Sequence, residues 1–110
     1  MTRVDGRTWT PAEALAALGK ASANFVTLFQ QGTLEVEIYR PVGVDRQKPH
    51  VKDELYVVIA GTGTFQHGDA RSPFGPGDVL FVRAGIAHRF EDFTPDFATW
   101  VFFYGAEGGE

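Results

Sequence analysis

The chain has 110 residues, of which 44% are hydrophobic and 14% aromatic, with ten phenylalanines and no cysteine. This length predicts a single domain whose core is large enough to be stable without disulfides. The lack of cysteine excludes disulfide bonds, iron–sulfur clusters and every metal site built on thiolates.

The formal net charge is −4, and the ten lysines and arginines are scattered along the chain. Binding to nucleic acid depends on a concentrated basic face, so we expect no nucleic-acid partner. No apolar run approaches the roughly 20 residues of a membrane-spanning helix, so we expect no membrane partner. The N-terminal residues lack the apolar centre of a signal peptide, and the expected location is cytoplasmic.

The first predicted element is a helix at residues 10–19. Thr10 and Glu13 have the spacing of a capping box, and Pro11 occupies the first helical position, where a missing N–H costs nothing. Apolar residues follow at helical spacing, and Gly19 is the predicted end. We expect a helix of two to three turns that packs on the outside of a larger structure and carries no functional site.

The chain after residue 24 is predicted to form β-strands, because short runs of β-branched and aromatic residues alternate with turn-forming residues. These runs are residues 25–29, 33–40, 55–60, 63–67, 79–83, 88–93 and 97–104. Closely spaced strands without intervening helices indicate an antiparallel sandwich or barrel.

The predicted domain organisation is a single unit. Residues 1–32 form an N-terminal helix and strand that pack on a barrel, residues 33–104 form the barrel itself, and residues 105–110 form a tail that we expect to fray.

The predicted strands at 55–60 and 97–104 carry apolar residues on both faces. A small barrel has only one interior, so the second face needs a cover, which is the helix, the N-terminal strand or another subunit. One short helix is too small to cover all of it. We therefore predict a homodimer.

The chain contains three histidines, and two of them stand in a recognisable pattern. His50 is followed by Glu54, and His88 follows two glycines. Metal ligands converge because their bonds measure about 2.0–2.2 Å, whereas residues 50 and 54 of one straight strand lie about 13 Å apart. The two side chains can share a metal only if the chain turns between them, and the sequence around residues 49–53 favours such a turn. We assign His67 to an exposed hairpin tip.

These residues resemble the two sequence motifs of the cupin family, G-x5-H-x-H-x3–4-E-x6-G and G-x5-P-x-G-x2-H-x3-N. The matching residues are His50, Glu54 and Gly61 in the first motif and Gly77, Gly85 and His88 in the second. The resemblance covers residues 33–104. It implies an all-β fold, the cupin double-stranded β-helix (a small jelly-roll-like barrel), preceded here by a short N-terminal helix.

The resemblance also implies one divalent transition metal. Lys48 stands where the first motif has its first histidine, and an ammonium group has no lone pair for a metal. The implied ligands are therefore His50, Glu54 and His88. Two histidines and one carboxylate suit iron, as in non-haem oxygenases, and are also compatible with zinc, manganese or nickel.

Each implied ligand has an alternative explanation without a metal. Glu54 would form an ion pair with Lys48 or Arg89, His50 would lie in an exposed loop, and His88 would be an ordinary core histidine. Lys48 itself is either a solvated cation or a group that reaches over the pocket. Candidate residues of a substrate pocket, with simple core packing as the alternative for the aromatic ones, are Lys48, Tyr39, Tyr56, Phe90, Asp92 and Trp100.

Three functions remain open from the sequence. The first is a metal-dependent enzyme acting on a small molecule, oxygenase-like or isomerase- or lyase-like. The second is a non-catalytic cupin that binds a small molecule, and the third is a metal-free structural barrel in which Lys48 replaces the ion. Asp92, Tyr56 and Lys48 are conceivable general bases, but no catalytic residue is assigned.

Overall fold

The computed structural model describes residues 5–110. Within this range it contains one helix, α1 (Pro11–Gly19), and the strands β1 (Phe25–Gln31), β2 (Leu34–Tyr39), β3 (Asp53–Ala60), β4 (Gly63–His67), β5 (Ala70–Phe74), β6 (Val79–Val82), β7 (His88–Glu91) and β8 (Ala98–Tyr104). None of the described residues forms a helix that is long and apolar enough to cross a membrane.

The helix begins with the predicted capping box. The backbone N–H of Glu13 donates to Thr10 Oγ1 at 3.1 Å, and the backbone N–H of Thr10 donates to Glu13 Oε1 at 3.2 Å. Two N–H groups at the helix start are thereby satisfied. The buried face of α1, with Ala14 and Leu18, packs against Ile38 of β2. The prediction of a short helix on the outside of the sheet is confirmed.

The strands form two antiparallel sheets, as predicted. The larger sheet has the order β1-β2-β8-β3-β6, and the smaller one has the order β5-β4-β7. The last strand, β8, lies between β2 and β3, so the centre of the large sheet joins strands that are distant along the chain. The all-β fold class, with one short N-terminal helix, is confirmed.

The core between the two sheets is largely aromatic. Tyr56 of β3, Phe65 of β4 and Phe90 of β7 are each no more than 2% exposed. Tyr56 meets Phe90 edge to face, with ring centroids 4.9 Å apart and an interplanar angle of 80°. Edge-to-face contacts place the positive edge of one ring against the negative face of another, which stabilises a unique packing.

The opposite face of the large sheet is also apolar, as the two-sided strands predicted. Helix α1 covers one end of it, where Ile38, Ile59 and Trp100 pack beneath the helix. The other end, on the edge strand β6, leaves Val79 62% exposed and Phe81 52% exposed. The helix therefore covers only part of this second apolar face.

The sequence prediction missed β5. This strand contains Pro73, which lacks the N–H that a central strand donates. The residue is tolerated because β5 is an edge strand, paired with β4 alone. The preceding strand, β4, has the predicted bounds.

Strand β7 is shorter than predicted and ends at Glu91 instead of residue 93. The reason is Asp92, whose backbone lies in the left-handed region with a φ of 51°. Extended pairing does not continue through such a residue.

The terminal segments make specific contacts. Strand β1, which the sequence analysis assigned to the N-terminal segment, is an integral edge strand paired with β2. In the tail after residue 104, the N–H of Gly108 donates to the Val51 carbonyl at 2.6 Å, and the N–H of Glu110 donates to the Asp53 carboxylate at 3.1 Å. The proposed boundaries after residues 32 and 104 stay predictions.

Gly61 provides a test of how tightly β3 turns into β4. Its φ is +88°, and an added Cβ would lie 2.5 Å from the Phe97 Cα. Gly77 has nearly the same φ, +86°, but nothing within 4 Å of an added Cβ. We expect Gly77→Ala to cost about 1–2 kcal/mol because of its left-handed backbone alone. Gly61→Ala should lower the free energy of unfolding further, because the Phe97 backbone must also move.

Urea denaturation of the two variants and the wild type measures this difference. Equal losses in both variants would contradict a steric role for the close approach of Gly61 to Phe97.

Candidate metal centre

The three implied ligands come from both sheets and from the segment before β3. Glu54 lies on the inward face of β3, directly opposite Phe103 of β8. His50 lies in the segment before β3, and His88 opens β7 in the smaller sheet. The folding of one sheet over the other therefore assembles residues that are distant in the sequence.

A bend at residues 51–52 brings His50 back towards Glu54. His50 Nε2 lies 3.9 Å from Glu54 Oε1, and the turn predicted between them is confirmed. The N–H of Gly85 donates to the His50 carbonyl at 2.8 Å. This hydrogen bond fixes the backbone of His50 against the turn after β6.

The side chains of His50, Glu54 and His88 converge. Each offers one ligand atom, and these atoms all lie within 4.8 Å of one another. The shortest separation is 2.7 Å, between His88 Nε2 and Glu54 Oε1, and both of these side chains are only 1% exposed. A buried carboxylate has lost its hydration and needs compensation by a nearby positive charge.

The close contact between His88 and Glu54 is not a well-formed hydrogen bond. Despite the 2.7 Å separation, neither His88 Nε2 nor either Glu54 oxygen has a hydrogen-bond partner of acceptable geometry. His88 Nδ1 lies 2.8 Å from the Ile86 carbonyl, which can only accept, so Nδ1 carries the proton. In the neutral ring, Nε2 then presents its lone pair to the carboxylate.

Two lone pairs that face each other at this distance repel, unless a proton or a metal ion lies between them. Burial lowers the pKa of His88, but the Glu54 carboxylate and the Ile86 carbonyl outweigh it and raise the pKa above the usual 6.5. A divalent ion could accept the lone pairs of both atoms and a third lone pair from His50. The second nitrogen of His88 is already oriented by a carbonyl, an arrangement typical of metal-binding histidines. The donor set therefore fits a divalent metal ion.

The alternative partners proposed for Glu54 are not in contact with it. Neither Lys48 nor Arg89 places a nitrogen within 4.0 Å of this carboxylate, whose ion pairs are with His50 and His88. Both cationic side chains are exposed. Lys48 therefore does not neutralise Glu54.

A cavity of about 550 Å³ adjoins the cluster, and His50 and Glu54 form part of its wall. Three of the six predicted pocket residues also line it: Tyr39, Lys48 and Tyr56. Its size is that of a small-molecule site.

The family assignment rests on a sequence profile. The profile of the family described as "Cupin domain" matches residues 31–104, two thirds of the chain. The chain belongs to the cupin family. The resemblance found in the two motifs is thereby confirmed.

Three similar proteins illustrate the range of the match. An uncharacterized protein of Streptomyces coelicolor, SCO3923, is 37% identical over 59 residues, which are 54% of this chain and 56% of that protein. The match thus spans about half the length of that relative. The structure of protein NMB1881 from Neisseria meningitidis has a TM-score of 0.70 at 14% identity, over 90% of this chain and all of that one.

The third is the DMSP lyase DddQ from Ruegeria pomeroyi. Its structure gives a TM-score of 0.61 at 26% identity, over 74% of this cupin and 46% of that chain. The likeness therefore covers less than half of the lyase.

Three predicted pocket residues of this cupin lie away from the cavity. Phe90 packs in the aromatic core, where it is 2% exposed. Trp100 lies on the other face of the large sheet, against α1, because it alternates with the inward-facing Val101. Asp92 is exposed, since its positive φ ends β7 before the strand alternation would turn the residue inward. The third histidine, His67, ends β4 at the predicted hairpin, but it is half-buried and stacks on Phe65, so the expectation of an exposed position is wrong.

The sequence analysis missed Asp45, a buried carboxylate beside the centre. It is 3% exposed and accepts four hydrogen bonds: from the Tyr39 hydroxyl at 2.6 Å, the Gln47 backbone at 3.1 Å, the Gln47 side chain at 2.6 Å and the Phe90 backbone at 2.8 Å. Burial, followed by the hydrogen bond and charge of Asp45, raises the pKa of Tyr39. Asp45 thus ties the segment before β3 to both sheets.

The sequence analysis also missed Glu37. Val36 and Ile38 of β2 are buried, and Ile38 packs beneath α1, so the alternating Glu37 points to the other face and lines the cavity. Burial, followed by the charge and hydrogen bond of Glu35, raises the pKa of Glu37 from 4.5 to about 7. Such a carboxyl exchanges a proton near neutral pH. In the sequence, LEVEIY is typical of a strand whose glutamates face solvent, so the pattern alone did not single out this residue.

The raised pKa of Glu37 predicts how stability depends on pH. The native state keeps the Glu37 proton between pH 4.5 and about 7, where the unfolded chain has lost it, so stability falls as pH rises through this window. Glu37→Gln removes this dependence. Relative to the wild type, the variant should gain about 1–2 kcal/mol between pH 4.5 and 8, a figure reduced to allow for solvent screening of a partly exposed group.

Urea denaturation at several pH values measures the difference between the two proteins. Glu107→Gln, on the exposed surface after β8, is the control and should follow the wild type. If the free energy of unfolding of Glu37→Gln varies with pH in parallel with that of the wild type, a raised pKa of Glu37 is contradicted.

Proposed function

We propose that this cupin binds a divalent transition metal through His50, Glu54 and His88, and binds a small molecule in the adjoining cavity. The observation that carries the proposal is the contact between Glu54 Oε1 and His88 Nε2. These two buried atoms lie 2.7 Å apart without the geometry of a hydrogen bond. Lone pairs that aim at a common point are typical of metal ligands, whereas a structural ion pair aims a proton at its acceptor.

Iron, zinc, manganese and nickel all accept two imidazoles and one carboxylate, and three protein ligands leave positions open. When bound, such an ion supplies Lewis acidity that polarises a carbonyl or carboxylate of the small molecule, or activates water or O2. The cavity that His50 and Glu54 line gives a small molecule access to these two ligands.

Among the enzymatic possibilities, two observations favour isomerase- or lyase-like proton transfer over oxygenase chemistry. Glu37 lines the same cavity as His50 and Glu54, and its pKa of about 7 suits a group that accepts or donates a proton at neutral pH. The Ruegeria protein, which is similar over 74% of this chain, is named a lyase. In this proposal Glu37 accepts a proton from the bound molecule.

Two alternatives carry different expectations. A non-catalytic binding protein would use the same cavity without proton transfer, and Glu37 would serve only in recognition. A metal-free structural barrel would need a positive group beside Glu54 in place of the ion. Lys48 is exposed and forms no ion pair with Glu54, so in such a barrel the positive group would be a protonated His88. The lack of hydrogen-bond geometry between His88 Nε2 and the Glu54 carboxylate weighs against this last alternative.

Metal content tests the proposal directly. The wild type, purified without chelator, should contain about one equivalent of a transition metal per chain, and His88→Ala should lose it because a buried ligand is gone. His67→Ala is the matched control, since His67 lies outside the cluster and should retain the metal. Elemental analysis by mass spectrometry gives the result. Equal trace amounts in all three proteins would overturn metal binding and favour the structural barrel.

We further propose that the cupin is a homodimer formed through the uncovered part of the large sheet. The side chains of this part face the same side of the sheet, because they are direct cross-strand neighbours or alternate along one strand. They are Leu55 and Val57 of β3, Val79 and Phe81 of β6, and Phe102 of β8. An exposed apolar area of this kind on a sheet edge is costly in water and favours association with a second copy.

Sedimentation equilibrium tests the dimer. Phe81→Glu places a charge in the centre of the contact. It should raise the dissociation constant of the dimer at least tenfold, which is about 1.4 kcal/mol, and so shift the protein towards the monomer. Val42→Glu adds the same charge to an exposed valine that lines the cavity and should leave the dimer intact. A monomeric wild type at micromolar concentration would contradict the proposal.

A further inference from the structure

The metal site proposed above has three protein ligands, and the structure offers a fourth oxygen that the cupin motifs do not point to. Gln47 precedes Lys48, the residue that stands in place of the first motif histidine. Its amide lies between the buried Asp45 carboxylate and the ligand cluster. Gln47 Oε1 is 3.4 Å from His50 Nε2 and 3.1 Å from the hydroxyl of Tyr56.

The orientation of the Gln47 amide follows from its partners. Its Nε2 lies 2.6 Å from Asp45 Oδ2, and a carboxylate only accepts, so the NH2 group must face Asp45. The carbonyl oxygen then faces His50 and Tyr56. A flipped amide would place its oxygen against a buried carboxylate and lose both hydrogen bonds. Asp45 itself cannot move away, because the backbone of Phe90 also donates to it.

This oxygen has a second lone pair besides the one that accepts from Tyr56. An amide carbonyl accepts two hydrogen bonds, and the Tyr56 hydroxyl donates one of them. Tyr56 is 1% exposed, so its hydroxyl has no access to solvent as an alternative partner. The second lone pair is therefore available to His50 Nε2, 3.4 Å away, or to an ion that both atoms bind.

The separations agree with atoms around one ion. With bonds of about 2.0–2.2 Å, two ligand atoms lie about 3 Å apart at a right angle and about 4.2 Å apart across the ion. Gln47 Oε1 lies 3.4 Å from His50 Nε2, which in turn lies 3.9 Å from Glu54 Oε1. Both distances fall in this range.

We propose that Gln47 Oε1 is a fourth ligand of the divalent metal, oriented by Asp45 and Tyr56. This inference rests on the proposed metal site and goes beyond it, because it explains how the chain tolerates a lysine at position 48. The competing explanation is that His50 Nε2 carries a proton and donates it to Gln47, which would remove His50 from the metal.

Co2+ is the probe that tests this ligand, because its visible absorption reports the number and type of donor atoms. Gln47→Ala should bind Co2+ about 10–100-fold more weakly in competition with a chelator, and its visible spectrum should change because loss of a fixed protein ligand lowers the coordination number or alters the coordination geometry. Gln30→Ala, an exposed glutamine on β1, is the matched control and should equal the wild type in both measurements.

Gln47→Asn keeps the amide but shortens the side chain, so it covers the case in which the alanine variant fails to fold. It should also weaken binding and alter the spectrum. Unchanged affinity and spectrum in the folded variants would overturn the proposal. Weaker binding with an unchanged spectrum would also overturn it, since Gln47 would then only position His50. A wild type that binds no Co2+ would instead refute the metal site as a whole.

Discussion

The constraint on which the site depends is the burial of the Glu54 carboxylate. An ionised carboxylate in an apolar interior is strongly unfavourable unless a positive group or several donors compensate it. Here the carboxylate faces His88 of the other sheet and His50 of the preceding segment, and a proton or a metal ion between these groups supplies the compensation. The same group thus couples the two sheets, since neither can separate without leaving Glu54 unpaired. The stability of the barrel and the proposed metal site have a common origin in this arrangement.

The three candidate ligands could be predicted from the sequence because their spacing matches a family pattern, and the bend between His50 and Glu54 followed from the bond lengths of a shared metal. The remaining parts of the site could not be predicted. Asp45 and Gln47 lie in a loop whose polar residues look ordinary until the fold buries Asp45 and turns the Gln47 amide towards it. The position of Glu37 at the cavity could be predicted only with knowledge of which face of β2 the helix covers. In each case the role of a residue depends on contacts with segments far along the chain.

The fold was more accessible to prediction. The capping box at Thr10 and the alternation in β3 and β8 are local signals, and local signals sufficed for the helix and most strands. Strand β5 was missed because Pro73 is a local signal against a strand, whereas its edge position is a property of the whole sheet. Trp100 was assigned to the pocket because periodicity shows that residues share a face but does not show which face encloses the cavity. Phe90 does face the interior, but periodicity does not show that it lies in the packed aromatic core and not in the cavity wall.

The anchoring of Asp45 has a consequence for the proposed binding of a small molecule. The segment that carries Gln47 and His50 hydrogen-bonds to β2 through Tyr39 and to β7 through Phe90. Such a rim does not need to become ordered when a ligand arrives, so association avoids the entropic cost of fixing a flexible lid. Admission to the cavity then depends on rotation of the long exposed side chains at its mouth, Arg46 and Lys48, which takes place in nanoseconds or less.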